Sequence, residues 1–215
     1  VFDLKTFNET LGVENSIPAE VRRILGNRDM LKQLRHQFAK NPPDVIYERA
    51  SLYSTVGVSL GLELNIPILI ELNAPLALEQ TAYRDASLTE LAMQAERWTL
   101  LRADAVITVS ALLREYVISL GVEARKVHVF PNAVNPKLFR PGLPNPELVK
   151  RFGLDNGLVL GYVGGLRPWH GVETLPEVLE RLKRRHETVR LVIAGDGPLG
   201  EELKQSFEER GLTKN

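Results

Sequence analysis

The sequence of 215 residues contains no cysteine. That absence excludes a disulfide framework, thiolate zinc sites and a cysteine nucleophile, and it fits a reducing, cytoplasmic compartment. Net charge is also missing: 27 Lys plus Arg offset 27 Asp plus Glu. With no overall basic field to draw in a polyanion, nucleic acid is not an expected partner. No apolar run approaches the length of a membrane span, and nothing at the start reads as a signal peptide. There is no D-x-D pair, and histidines do not cluster with carboxylates at ligand spacing, so metal independence is expected. His36, His128 and His186 fall within a helix, within a strand and at a helix end, where none needs a catalytic explanation. The chain starts at Val1 and stops in "ERGLTKN", just after a helix-like run, which gives the expectation of a fragment.

What is present is an alternation of short β-branched runs and longer stretches of helical period, the pattern of parallel sheets covered by helices. Residues 44–49, 66–72, 104–109 and 126–130 read as strands, with helices at about 54–64, 87–102 and 110–120. Ser87 with Glu90 makes a capping-box pair, and Ser110 is the N-cap candidate of the following helix. Before residue 43, "AEVRRIL" and "MLKQLRHQF" read as two amphipathic helices; residues 1–18 carry too weak a pattern to assign. "RPGLPNP" (140–146) holds three prolines and a glycine, which neither a helix nor a central strand tolerates. It divides the chain into domains 1–141 and 142–215. In the second, strands are expected at 158–164 and 189–195, with helices near 147–152, from 171 to about 186, and from Pro198.

"GYVGGLRPWHGVETL" (161–175) joins a strand to a helix whose apolar face is Val172, Leu175, Val178, Leu179 and Leu182. Its start should lie at the carboxyl end of the strand, where open parallel sheets bind ligands. Unpaired amides and the helix dipole favour an anion there, and Gly164 and Gly165 let it approach the backbone. Arg167 and His170 add side-chain donors, while Gly171 opens the helix. A phosphate suits such a turn, and a tight strand-to-helix connection explains the glycines equally well. "IAGDGPLGEEL" (193–203) repeats the arrangement with Gly195, Asp196 and Gly197, and Pro198 at the first helical position. Two such turns at one sheet edge make a nucleotide-sized cleft.

Taken in order with "VHVFPNAVNPKLFRP", "PPDVIYERASLY", "IPILIELNAPLALEQ" and "ADAVITVSALLREYV", these two turns resemble the retaining, GT-B fold glycosyltransferases of family 4 over about residues 42–210. The resemblance implies an α/β, GT-B-like fold: two Rossmann-like parallel-sheet domains facing a cleft, both incomplete in this chain. It implies transfer of a sugar from a nucleotide-diphosphate donor to an acceptor hydroxyl, in polysaccharide or glycolipid synthesis, with no cofactor. Acceptors would be a sugar, a lipid-linked sugar or a polysaccharide, and the family's habits add peripheral contact with the inner membrane surface. In such enzymes an arginine and a lysine in the first turn hold the diphosphate. Here Gly165 and His170 stand at those places, and Arg167 is the compensating cation.

The catalytic histidine of many relatives is replaced by Asn73, with Glu71 two residues earlier. Asn73 can bond a sugar hydroxyl but carries no charge. Glu79 is a second candidate sugar contact, with capping of local amides its alternative role. Asn132 matches an asparagine that fixes the turn after the last strand of the first domain. The relatives' paired glutamates, spaced E-x7-E, do not occur here in a glycine-rich loop opening a helix, so the catalytic carboxylates are expected beyond Asn215 and residues 1–215 are expected to be inactive. A non-catalytic nucleotide- or sugar-binding module and a sugar-nucleotide epimerase stay open as alternatives. A dinucleotide oxidoreductase fits less well, for want of G-x-G-x-x-G after an early strand.

Overall fold

The structure is a computed structural model that describes residues 19–83, 88–186 and 188–213. It divides into two compact units, one up to Ala133 and one from Val134. Residues 1–18 and Ser87, half of the expected capping box, lie outside the described residues.

In the first unit the described chain runs α1 (Ala19–Phe38), β1 (Ile46–Arg49), α2 (Val56–Leu64), β2 (Ile68–Leu72), α3 (Leu76–Tyr83), α4 (Thr89–Arg102), β3 (Ala105–Thr108), α5 (Ala111–Ser119) and β4 (Val127–Val129). The four strands form one parallel sheet in the order β1-β2-β3-β4. In β2, Ile68, Ile70 and Leu72 are fully buried while Leu69 and Glu71 are half-buried, the period-2 pattern of a strand in a sheet. Those three side chains join Val58, Leu100, Val106, Leu113 and Val117 in one apolar cluster. Ser110 caps α5 as expected, its hydroxyl accepting from the Leu113 amide at 3.2 Å.

Three expectations need correction here. The two short helices before residue 43 are one continuous helix, α1, because Gly26 costs a helix only about 1 kcal/mol and does not stop it. α1 is tied down by Tyr53, whose hydroxyl donates to Glu20 at 2.6 Å and whose carbonyl accepts from the Asn27 amide at 2.8 Å. Helix α3 was not among the assigned helices, and only the alternative reading of Glu79 as a carboxylate capping local amides pointed to it; Glu79 lies in its first turn. The turn after β4 is fixed by Asn135, which accepts from the Lys137 amide at 2.9 Å, and Asn132 makes no side-chain hydrogen bond among the described residues.

The second unit contains α6 (Pro146–Phe152), β5 (Leu158–Val163), α7 (Leu175–Lys183), β6 (Val189–Ala194) and α8 (Gly200–Glu209). β5 and β6 pair in parallel from Leu158↔Val189 to Val163↔Ala194, so both following turns leave the same edge. Helix α7 does not begin at Gly171. Two 3-10 turns, Pro168–His170 and Val172–Thr174, come first, because Gly171 takes a left-handed conformation (φ 67) between them. Val172 and Leu179 are buried as expected, but Val178 is 42% exposed, at the margin of the packed face. Helix α8 likewise starts at Gly200, two residues after Pro198. Among the described residues no helix is long and apolar enough to cross a membrane.

Candidate functional site

The turn after β5 brings Gly164, Gly165, Arg167, His170 and Gly171 together at the carboxyl edge of the second sheet. Its backbone is held from both sides: Gly164 N donates to Ala194 O at 3.1 Å, and Leu166 N to Asp196 O at 2.9 Å. Leu166 faces inward with Val172 and Leu203, which anchors the turn while Arg167 and His170 stay exposed. The Arg167 guanidinium lies 5.5 Å from the centre of the Trp169 ring, a cation–π contact. His170 Nδ1 is 2.6 Å from Gly165 O, and the Tyr162 hydroxyl donates to that same carbonyl at 3.0 Å. The delayed start of α7 corrects the expected source of positive field. Pro176, near that start, is buried, so an anion at Gly164 and Gly165 meets the 3-10 turns and the two exposed side chains, with the α-helix start four residues beyond Gly171.

Gly195 and Gly197 have a packing role that sequence reading did not foresee. A Cβ on Gly195 would stand 1.9 Å from Gly164 O, and one on Gly197 would stand 2.4 Å from Leu166 O. These glycines let the two turns lie backbone against backbone. The Leu199 amide continues the seam by donating to Leu166 O at 3.1 Å. Asp196 is used locally: its Oδ1 accepts from the Gly197 amide at 2.7 Å.

In the first unit Glu71 and Asn73 sit at the carboxyl end of β2. Glu71 accepts from the Tyr47 hydroxyl, from Asn73 Nδ2 at 2.7 Å, and pairs with Arg49 Nε at 3.3 Å. The register explains this, since Arg49 stands beside Glu71 across the two strands. Hydrogen bonding from Tyr47 first, then from Asn73, holds the Glu71 carboxyl below the usual carboxylate range against the opposing effect of burial; the Arg49 charge adds to it. Glu71 is thus tied to three neighbours and holds the Asn73 amide at the strand end. Asn73 Oδ1 is buried and accepts no hydrogen bond among the described residues. Beside these strand ends an open cleft of about 540 Å³ is lined by Arg23, Asn27, Met30, Ser51, Leu52 and Leu76.

Glu79 lies in the first turn of α3, and its side chain makes no hydrogen bond among the described residues. The capping role belongs to Glu96, which sequence reading missed. Glu96 reaches from α4 to accept from the Ala77 amide at 3.2 Å and from the Tyr116 hydroxyl at 2.5 Å. Burial pushes its carboxyl above the usual range, more than the hydrogen bonds from Tyr116 and from the amides of Ala77 and Leu76 pull it down. Because the folded-state value is raised, this group favours the fold at acid pH, and the benefit is lost as pH rises through that value. Glu96→Ala should cost about 1–3 kcal/mol by stranding the Tyr116 hydroxyl and an α3 amide. Glu96→Gln should cost less and flatten the fall in stability as pH rises from 4 to 7 in urea titrations. Equal slopes in Glu96→Gln and the unaltered protein would contradict the assignment.

Residues 8–138 match the family described as Glycosyltransferase Family 4, and residues 145–215 match Glycosyl transferases group 1. The phosphatidylinositol N-acetylglucosaminyltransferase GPI3 subunit of Saccharomyces cerevisiae is 30% identical over 118 residues, 54% of this chain and 26% of that one. The alpha-D-kanosaminyltransferase of Streptomyces kanamyceticus is 28% identical over 154 residues, 69% of this chain and 40% of that one. The chain thus spans well under half the length of these curated relatives. Among solved structures, Anabaena HepE in complex with UDP-glucose superposes with a TM-score of 0.65 at 20% identity, covering 97% of this chain and 56% of that one. A UDP-N-acetylglucosamine 2-epimerase structure from Listeria monocytogenes has a TM-score of 0.54 at 13% identity, covering 97% of this chain and 56% of that one. At these identities the structures show the shared fold.

Proposed function

This chain belongs to Glycosyltransferase Family 4, and from that premise we propose that the whole protein moves a sugar from a nucleotide-diphosphate donor to an acceptor hydroxyl with retention at the anomeric carbon. The observation that carries the reading is the turn after β5, where two exposed hydrogen-bonding side chains, Arg167 and His170, stand on a backbone clamped to the neighbouring turn. As the bond between sugar and phosphate breaks, negative charge grows on the leaving diphosphate, and donors already fixed in place lower that barrier. UDP appears in the names of solved relatives of the same fold, which supports a nucleotide sugar as the ligand class. On the acceptor side, Asn73 offers a carbonyl to a sugar hydroxyl, and Glu71 holds it in that orientation. We place the work at the cytoplasmic face of a membrane, on a sugar, lipid-linked or polysaccharide acceptor. An epimerase shares the fold, but the family matches and the named sequence relatives are transferases.

Metal independence belongs to the same reading, since the permanent charge on the diphosphate is answered by Arg167. With a panel of nucleotide sugars and in excess EDTA, the whole protein should release nucleoside diphosphate and form a product whose anomeric configuration, read by NMR coupling, matches that of the donor. Transfer that stops with EDTA and returns with magnesium or manganese would refute the metal-free reading. An inverted anomer would refute retention.

A further inference from the structure

We infer that the donor diphosphate enters its site together with a proton, which His170 carries on Nε2. The inference rests on the diphosphate reading of the turn after β5. His170 Nδ1 stands 2.6 Å from the carbonyl oxygen of Gly165. Two acceptors do not approach so closely without a proton between them, and a carbonyl has none, so the proton is on Nδ1. Tyr162 cannot supply it. Its single hydroxyl proton goes to the same carbonyl at 3.0 Å, and its oxygen lies 3.4 Å from Nδ1, the longer of the two contacts. Neutral His170 therefore holds a lone pair at Nε2, where the phosphate oxygens would have to meet it. Lone pair against lone pair repels; only the imidazolium, with an N–H on both sides, donates to an anion there.

This separates His170 from the lysine that the family resemblance expects at its place. A lysine is charged before the ligand arrives. An imidazole in water is mostly neutral above about pH 6.5, and a contacting anion favours its charged form. The charged or titratable groups beside the ring are the Tyr162 hydroxyl on β5, 3.4 Å from Nδ1, and Arg167, whose side chain flanks the same face of Gly165 as the imidazole. Of these side-chain types, imidazole is the one that changes charge near neutrality. Gly165 has a part in this beyond small size, because its carbonyl sets which nitrogen of His170 faces the ligand.

Calorimetric titration with UDP-glucose, GDP-glucose and ADP-glucose at pH 7.5, in buffers of different ionisation enthalpy, tests the inference. The diphosphate in these donors is esterified at both ends and takes up no proton near neutrality, so any proton exchanged belongs to the protein. The expected result is uptake of about 0.5–1 proton per bound donor, with affinity falling roughly threefold to tenfold per pH unit above pH 7.5. His170→Lys should bind without uptake and without that pH dependence. If circular dichroism shows that His170→Lys fails to fold, His170→Gln takes its place, with weaker binding and no uptake expected. Binding with no uptake in the unaltered protein, or uptake that persists in the variant, overturns the inference and leaves the donor reading standing. Failure of all three donors to bind overturns both.

Discussion

Gly195→Ala is expected to destabilise the second unit by about 1–3 kcal/mol or more, the cost of forcing extra atoms into a packed site. The added Cβ would lie 1.9 Å from Gly164 O, and that oxygen is main chain. No side chain can swing aside to relieve the clash, so the seam between the two turns must open, and Leu166 N would lose its bond to Asp196 O. Gly165→Ala supplies the control. Its Cβ would meet nothing closer than Arg167 Cγ at 3.6 Å, an ordinary contact, and its stability should stay within about 0.5 kcal/mol of the parent. Urea unfolding followed by far-ultraviolet circular dichroism separates the two. Equal midpoints for Gly195→Ala and Gly165→Ala would show that the turns do not depend on this close approach.

The second large effect is on binding. Arg167→Ala should weaken nucleoside-diphosphate affinity by about 1.5–3 kcal/mol, the worth of hydrogen bonds to a charged group, or roughly ten- to 150-fold. The fold does not need this side chain. Arg167 is exposed, makes no ion pair among the described residues, and lays its guanidinium over the Trp169 ring. Its unfolding midpoint should therefore stay near that of the parent while binding falls, which distinguishes a ligand contact from a structural one. Arg167→Lys should recover part of the loss, because a point charge replaces a planar fork. Unchanged affinity in Arg167→Ala would remove Arg167 from the site.

Strands were the most legible part of the chain. Ile68, Ile70 and Leu72 announce β2 by composition and alternation, and DVIYER and DAVITV do the same for β1 and β3. Helix starts in the second unit were less legible, because a glycine, a proline and a short apolar run fit a 3-10 turn as well as an α-helix until the neighbouring backbone is placed. The site divides in the same way. Arg167 and His170 stand out as side-chain donors beside glycines, a local signal. The jobs of Gly195 and Gly197 depend on carbonyls some thirty residues earlier in the chain, which no local pattern contains. Glu96 was missed for a related reason: it lies mid-helix, and its target amide is 19 residues away. Arg49 and Tyr47 were readable in principle, as a cation and a hydroxyl near the end of the strand next to Glu71, but only once the register of β1 on β2 was known.

In both sheets each strand pairs with its neighbour in the chain: β1 with β2, β2 with β3, β3 with β4, and β5 with β6. Among the described residues no strand has to be slotted between two that precede it in the chain. During synthesis β2, β3, β4 and β6 each emerge with a partner strand already made, and each closure spans only the single crossover just made, which keeps the entropy of loop closure small at every step. The order in which the chain leaves the ribosome is thus also an order in which these sheets can grow, edge by edge.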